Sequence, residues 1–199
     1  SVCCCLSDAL AQLPQTTITA VYPPGGQIGT TFDVVVSGPT VIDVQELLFS
    51  HGSIRATLKS AKPDEFATAD EPQFGKFSVH IDKGVPPGKY EVRAVGRHGI
   101  SNPLTFIVGS KPAVLGDGSN RSPEKATTLE LGQVVTGKTA ASAIDFYQVA
   151  LKKGQLICVD CQAQQIDSRL NAVVSIMDKT KVELARAFAV ERDPVIFFT

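Results

Sequence analysis

The stretch Lys76–Val95, KFSVHIDKGVPPGKYEVRAV, decides the fold. Phe77, Val79 and Ile81 fall on one side of a two-residue period, and Lys76, Ser78 and His80 fall on the other. That alternation is the pattern of a strand buried on one face. Gly84-Val85-Pro86-Pro87-Gly88 interrupts it with turn residues. Alternation then resumes, with Tyr90, Val92 and Ala94 opposed to Glu91, Arg93 and Val95.

Working outward, the same kind of segment recurs. Upstream, Thr17–Tyr22 stops at Pro23-Pro24-Gly25-Gly26, and Thr31–Ser37 stops at Gly38-Pro39. Val44–Phe49 and Ile54–Leu58 follow, then a polar, proline-bearing loop between Lys59 and Phe74. Downstream, Leu104–Val108 closes a set of seven short segments at regular spacing, which predicts an antiparallel sandwich over residues 16–108. Gly109–Lys125 is rich in glycine, serine and proline and reads as a linker. A second β series then runs through Val134–Gly137, Ile144–Leu151, Leu156–Gln162, Ala172–Met177, Val182–Phe188 and Val195–Phe198. Ile144, Phe146 and Tyr147 are its core candidates. Lys152-Lys153-Gly154-Gln155 is a tight turn. No helix beyond a single turn, at Ser7–Leu13 or Glu124–Leu129, is expected. The fold class is therefore all-β: two tandem immunoglobulin-like or jelly-roll-like sandwiches, the second at 126–199. Because the sequence stops at Thr199 inside an apolar run, the second sandwich is expected to be incomplete.

Composition bounds the function. The chain has 199 residues, 43% of them hydrophobic and 20% charged, so it can build a core. Nineteen Lys and Arg against 20 Asp and Glu give a formal net charge of −1. That argues against binding nucleic acid through phosphate neutralisation. No apolar run approaches the length of a membrane-spanning helix. The opening, residues 1–15, reads as the remnant of a secretory signal, with Ala9-Leu10-Ala11 as the cleavage pattern, so an extracytoplasmic location is expected. Cys3, Cys4 and Cys5 would leave with it.

Cys158-Val159-Asp160-Cys161 has C-x-x-C spacing but lies in a strand-like run. The two thiols should point to opposite faces and pack as structural residues.

The first half resembles the IPT/TIG branch of immunoglobulin-like domains. The opening that carries the likeness is Ile18-Thr19-Ala20-Val21-Tyr22-Pro23-Pro24-Gly25-Gly26-Gln27-Ile28-Gly29, followed by Val34-Val35-Val36-Ser37-Gly38. The close is Val85-Pro86-Pro87-Gly88-Lys89-Tyr90-Glu91-Val92-Arg93 and Gly99-Ile100-Ser101-Asn102-Pro103-Leu104-Thr105-Phe106. Tyr90 should bury its ring and keep its hydroxyl at the rim. The second half resembles the bacterial pre-peptidase C-terminal domain. Asp145-Phe146-Tyr147, Lys153-Gly154-Gln155-Leu156-Ile157, Ser168-Arg169-Leu170-Asn171, Val174-Ser175-Ile176-Met177-Asp178 and Asp193-Pro194 carry that likeness. The pairing is similar to large secreted proteins of planctomycete-type bacteria. Collagen-binding relatives hold calcium in the segment entering this domain, which here reads Gly116-Asp117-Gly118-Ser119-Asn120-Arg121-Ser122-Pro123. The resemblance makes Asp117, Asn120 and Glu124 the calcium candidates, but one carboxylate before Glu124 and an arginine in the loop fall short of the ion's needs. Asn171 stands where the relatives commonly carry Asp.

Motifs for catalysis are missing from the sequence. His51, His80 and His98 have no nucleophile elbow, zinc motif or phosphate loop beside them. Gly25-Gly26-Gln27-Ile28-Gly29 leads into a strand, so it offers phosphate no helix N-terminus. Asp64/Glu65 and Asp70/Glu71 read as solvated loop charges. Asn120-Arg121-Ser122 is a formal glycosylation sequon followed by Pro123. With no Trp and three Tyr, a strong aromatic sugar platform is not expected.

The sequence thus predicts a non-catalytic structural or interaction module of a larger exported bacterial protein: a spacer, folding aid or adhesion surface. Its partners would be other domains of the same longer chain. The alternative is a module that targets an attached hydrolase or peptidase to an extracellular polysaccharide or protein fibre. No cofactor is expected beyond the calcium considered above.

Overall fold

The structure is a computed structural model, and it describes residues 15–61 and 71–199. Residues 1–14 of the candidate signal remnant, the expected turn at Ser7–Leu13 with them, and Asp64, Glu65 and Asp70 fall outside those residues. The chain is all-β, as its periodicity predicts.

In the first half the strands are β1 (Ala20–Tyr22), β2 (Gly25–Gln27), β3 (Thr31–Ser37), β4 (Glu46–Phe49), β5 (Ile54–Ala61), β6 (Glu71–Ile81), β7 (Gly88–Gly96), β8 (Gly99–Ile100) and β9 (Leu104–Gly109). They form two sheets. One has the order β1-β3-β6-β5, antiparallel throughout. The other has the order β2-β9-β7-β4, with β8 beside β7. The inward residues of the two sheets meet in one core. Val34, Phe77, Val79, Ile81, Val92, Ala94 and Phe106 are wholly buried there. Each fully buried Phe or Ile contributes about 1.5–3 kcal/mol of transfer free energy. Phe106 organises the centre, stacked on Phe32 at 6.3 Å and edge-on to Phe49 at 5.0 Å.

The alternation read in Lys76–Val95 is therefore the core of the sandwich, but β2 runs against the sequence reading. Gly25 and Gly26, read as a strand stop, pair in parallel with β9. A Cβ at Gly25 would lie 2.0 Å from the Ile107 carbonyl oxygen, and one at Gly26 would lie 2.2 Å from the Phe32 ring. The glycines here permit close packing of backbone on backbone and ring. Asn102 ties in the incoming chain, because its amide both accepts from the Ile18 N–H and donates to the Ile18 carbonyl, at 3.0 Å each. Tyr90 is half-buried, and its hydroxyl donates to the Pro86 carbonyl at 2.7 Å, closing the Pro86-Pro87 turn at the rim.

The second half contains β10 (Ala113–Leu115), β11 (Thr127–Leu129), β12 (Val134–Thr136), β13 (Tyr147–Val149), β14 (Ile157–Asp160), β15 (Val173–Met177), β16 (Glu183–Phe188) and β17 (Val195–Phe198). These join only in pairs: β10 with β12 and β11 with β13 in parallel, β14 with β17 and β15 with β16 antiparallel. Three readings of this region are corrected. Part of the segment read as a linker is strand β10, because Pro112 and Gly116 anchor it by backbone hydrogen bonds to β12. The turn expected over Glu124–Leu129 is confined to a 3-10 turn at Pro123–Lys125, after which β11 begins. Ile144 and Tyr147, proposed as core, are 63% and 41% exposed, while Phe146 is half-buried. Two-stranded ribbons leave one layer of apolar side chains uncovered, and that is what happens here. The buried apolar side chains of this half are Ala163, Ala172 and Ile196.

The halves touch along β9. The Thr105 N–H, on the part of β9 that runs beyond β2, donates to the Asp167 carboxylate at 2.6 Å. Lys89 reaches Gln165 at 2.9 Å, and Tyr22 donates to the Thr136 carbonyl at 3.3 Å beneath the Lys138 ammonium. A 3-10 turn at Gln164–Ile166 presents Asp167, and Asp193 holds that turn. The Asp193 carboxylate, 1% exposed, accepts from the backbone N–H groups of Ala163, Gln164 and Gln165 at 2.8–2.9 Å. Burial opposes its charge, but the donors at Gln165, Gln164 and Ala163 outweigh burial and hold the carboxyl below the usual carboxylate range.

Candidate functional site

Each of the calcium candidates has a partner within the protein. Asp117 turns back on its own loop and accepts from the Ser119 N–H at 2.9 Å, a bond that also lowers its pKa. Asn120 is buried. Its amide donates to the Phe146 carbonyl at 2.9 Å while its backbone carbonyl accepts from the Phe146 N–H, so it works as a strut between loop and β13. Glu124 pairs with Lys181 at 2.5 Å, and that hydrogen bond pulls its pKa down to about 2. Arg121 is matched by Asp145 at 2.8 Å. Each polar group the sequence assigned to the loop is thus engaged with the protein. The buried amide of Asn120 also removes the sequon from the surface. Asn171 accepts from the Gln164 side chain at 2.9 Å.

The histidines lie apart from one another in role. His80 bridges Thr31 at 2.7 Å and Asp82 at 3.0 Å on the outer face of its sheet. His51 accepts from the Ser53 N–H at 3.2 Å and packs edge-on against Tyr90. His98 sits exposed in the β7–β8 turn. Cys158 is exposed, which corrects the expectation of two packed thiols: β14 lies in a two-stranded ribbon, so one of its faces stays open. Cys161 is half-buried. Burial, then the Asp193 and Asp160 carboxylates, push its pKa up, the reverse of what an activated thiolate needs.

A recess of different character lies at one end of the first sandwich, between the start of β6 in one sheet and β4 and β7 in the other. It is a groove of about 580 Å³ lined by Ile42, Asp43, Gln45, Glu46, Phe74, Val95, Gly96, Arg97 and His98. Ile42 stands in a 3-10 turn at Val41–Asp43 and is 84% exposed; Phe74, in β6, is 41% exposed. The groove holds its shape through the backbone. The Asp43 carboxylate accepts from the Arg97 N–H at 3.1 Å, and the Gln45 N–H donates to the Val95 carbonyl at 3.0 Å. Gly96 is its floor. A Cβ there would lie 2.9 Å from Asp43 Oδ1 and 3.2 Å from Thr16 Oγ1, a hydroxyl that is buried without a hydrogen-bond partner. Among the described residues, the side chains of Gln45, Glu46 and Arg97 are bonded to nothing. The sequence reading missed this groove because Ile42, Phe74 and Arg97 come from three separate loops and strand ends. The Phe count was assigned to the core as a whole.

The second half offers chemistry of another kind, an apolar surface. On β15 and β16, Val173 and Phe188 face each other in register and are 53% and 57% exposed. Met177 and Leu184 are also exposed, and Phe197 of β17 is 71% exposed.

No family model matches the chain, and no curated protein matches it. Among solved structures it is similar to a Bacteroides ovatus protein, SGBP-B of a mixed-linkage glucan utilization locus, in complex with a mixed-linkage heptasaccharide. The identity is 19% and the TM-score 0.34, over 60% of this chain and 27% of that one.

Proposed function

We propose that the chain is a non-catalytic interaction module of a larger exported bacterial protein, an IPT/TIG-like sandwich followed by a pre-peptidase C-terminal-like unit. The observation that carries this reading is the contrast in burial. The first half closes its own core, whereas the second leaves Val173, Leu184, Phe188 and Phe197 facing outward on ribbons with unpaired edges. Apolar side chains on open strand edges are the chemistry of protein–protein contact. The closed sandwich then serves as the spacer that positions this surface. No helix among the described residues is long and apolar enough to cross a membrane. A photo-crosslinking amino acid at position 188 or 197, in the complete gene product, tests the reading. Crosslinks into other domains of that product are expected. A monomeric isolated chain that binds no hydrophobic dye and gives no crosslinks would overturn it. So would casein hydrolysis by the isolated chain that is lost on substitution of His51 or His98.

A second reading, a module that targets an attached enzyme to an insoluble substrate, is favoured by the groove at Ile42, Phe74 and Arg97, whose polar side chains are uncommitted. Retention of the chain on insoluble cellulose, chitin or collagen tests it.

A further inference from the structure

We infer that the groove between β6 and the β4–β7 pair is a binding site for a neutral polysaccharide chain, an inference that rests on the second reading above and assigns it a place. A pyranose unit has one face of C–H groups and a rim of hydroxyls that both donate and accept. Its receptor must therefore offer an apolar side chain and, within a few ångströms, paired acceptors and donors without partners of their own. The groove offers each. Ile42 and Phe74 supply exposed apolar surface. Glu46 supplies an uncommitted carboxylate acceptor, Gln45 and Arg97 supply uncommitted amide and guanidinium donors, and Asp43 adds a second carboxylate, one oxygen of which already accepts from the Arg97 N–H. Ligand sites commonly pair apolar lining with a few placed polar groups in this way.

The charge selects among glycans. Among the described residues two carboxylates, Asp43 and Glu46, and one guanidinium, Arg97, line the groove, a net negative set that disfavours uronic-acid polymers and nucleic acids. Asp43 is already held by the Arg97 N–H, so one carboxylate is oriented before ligand arrives. On the apolar surface of β15 and β16, by contrast, the guanidinium of Arg186 is already bonded to Glu183 and Ser175. That surface fits protein, and the groove fits sugar.

Affinity electrophoresis of the full chain decides the matter, with hydroxyethylcellulose, xylan or galactomannan in the gel and polygalacturonate as the acidic control. Retardation by at least one neutral polymer and none by polygalacturonate is expected. Glu46→Ala with Arg97→Ala should weaken the retarding affinity about tenfold or more, as the loss of two hydrogen-bonding groups implies. Ile42→Ser, at a site too exposed to matter for folding, should weaken it in the same direction. Ile144→Ser, at a site 63% exposed and remote in sequence from the groove residues, should leave it unchanged. If the wild type binds and the groove variants bind equally well with unaltered melting curves, the groove assignment is overturned while the targeting reading survives. If no neutral polymer retards the wild type, or the chain is retained on collagen alone, the saccharide inference is overturned outright.

Discussion

The first half has strands of up to 11 residues, in β6, and the second none longer than the 6 residues of β16, and the two halves treat apolar side chains in opposite ways. In β6 the alternating residues Phe77, Val79 and Ile81 are wholly buried, because β3 and β5 flank the strand and the second sheet covers its inner face. In β16 the alternating residues Leu184 and Phe188 lie exposed, because β16 has one partner and no sheet covers its outer face. Alternation states that a strand has two unlike faces. Whether the apolar face is covered depends on how many strands assemble behind it.

The largest effect that would test this contrast is a matched pair of core and surface truncations. Phe77→Ala should cost about 3–5 kcal/mol in urea unfolding of the first half, the range for a buried Phe. Phe197→Ala should shift stability by no more than about 0.5 kcal/mol, as for a surface change. An equal cost at both sites would mean that the apolar strands of the second half are covered in solution. Next in size is the Asp193 clamp. Asp193→Ala should cost roughly 2 kcal/mol, since three backbone donors lose their acceptor in a buried place. Hydrogen exchange at Ala163, Gln164 and Gln165 should accelerate while the amides of β6 stay protected.

The same carboxylate predicts a pH dependence. Its folded pKa lies below its unfolded value, so its contribution is present above the ordinary carboxylate range and is lost as pH falls through the folded value. Protection of the Gln164–Ile166 turn should be constant from neutrality down to about pH 4, the unperturbed range for Asp, and should decline only in stronger acid. Loss of protection near neutrality would contradict the hydrogen-bond arrangement.

A smaller effect is expected at the junction. Asp167→Ala removes the acceptor of the Thr105 N–H at the open end of β9 and should cost about 1 kcal/mol. The melting transitions of the two halves should separate further than in the wild type. Smallest is Tyr90→Phe, which keeps the ring and deletes only the bond to the Pro86 carbonyl. About 0.5–1.5 kcal/mol, confined to the first transition, is expected by differential scanning calorimetry.

Much of the fold was legible because strands announce themselves through period-two alternation and stop at proline and glycine. Phe77, Val79, Val92 and Ala94 could be placed inside from spacing alone, and the hydroxyl of Tyr90 could be placed at the rim. Strands without that signal were not legible. β2 is made of Gly25, Gly26 and Gln27 and exists only because β9 and the Phe32 ring come within the reach of an absent side chain. β10 lies in a stretch whose glycine, serine and proline read as linker, and it is a strand because β12 pairs with it from 21 residues away in register (Ala113 opposite Val134). The groove was illegible for a related reason. Ile42 and Glu46, Phe74, and Arg97 belong to three separate chain segments, and no local spacing joins them.

By itself, then, the sequence determined the class of the chain, the faces of its clearest strands and the turns between them, because these depend on the geometry of a few consecutive residues. It also carried the absence of any local catalytic or phosphate-binding motif. Only the tertiary structure decided which apolar faces are covered, which polar residues are spent on the protein itself and which remain uncommitted. Asn120 became a strut and Glu124 an ion-pair partner, while Glu46 and Arg97 stayed free among the described residues. The physical reason is that burial and hydrogen-bond satisfaction are set by neighbours distant in the chain, brought within a few ångströms by sheet pairing.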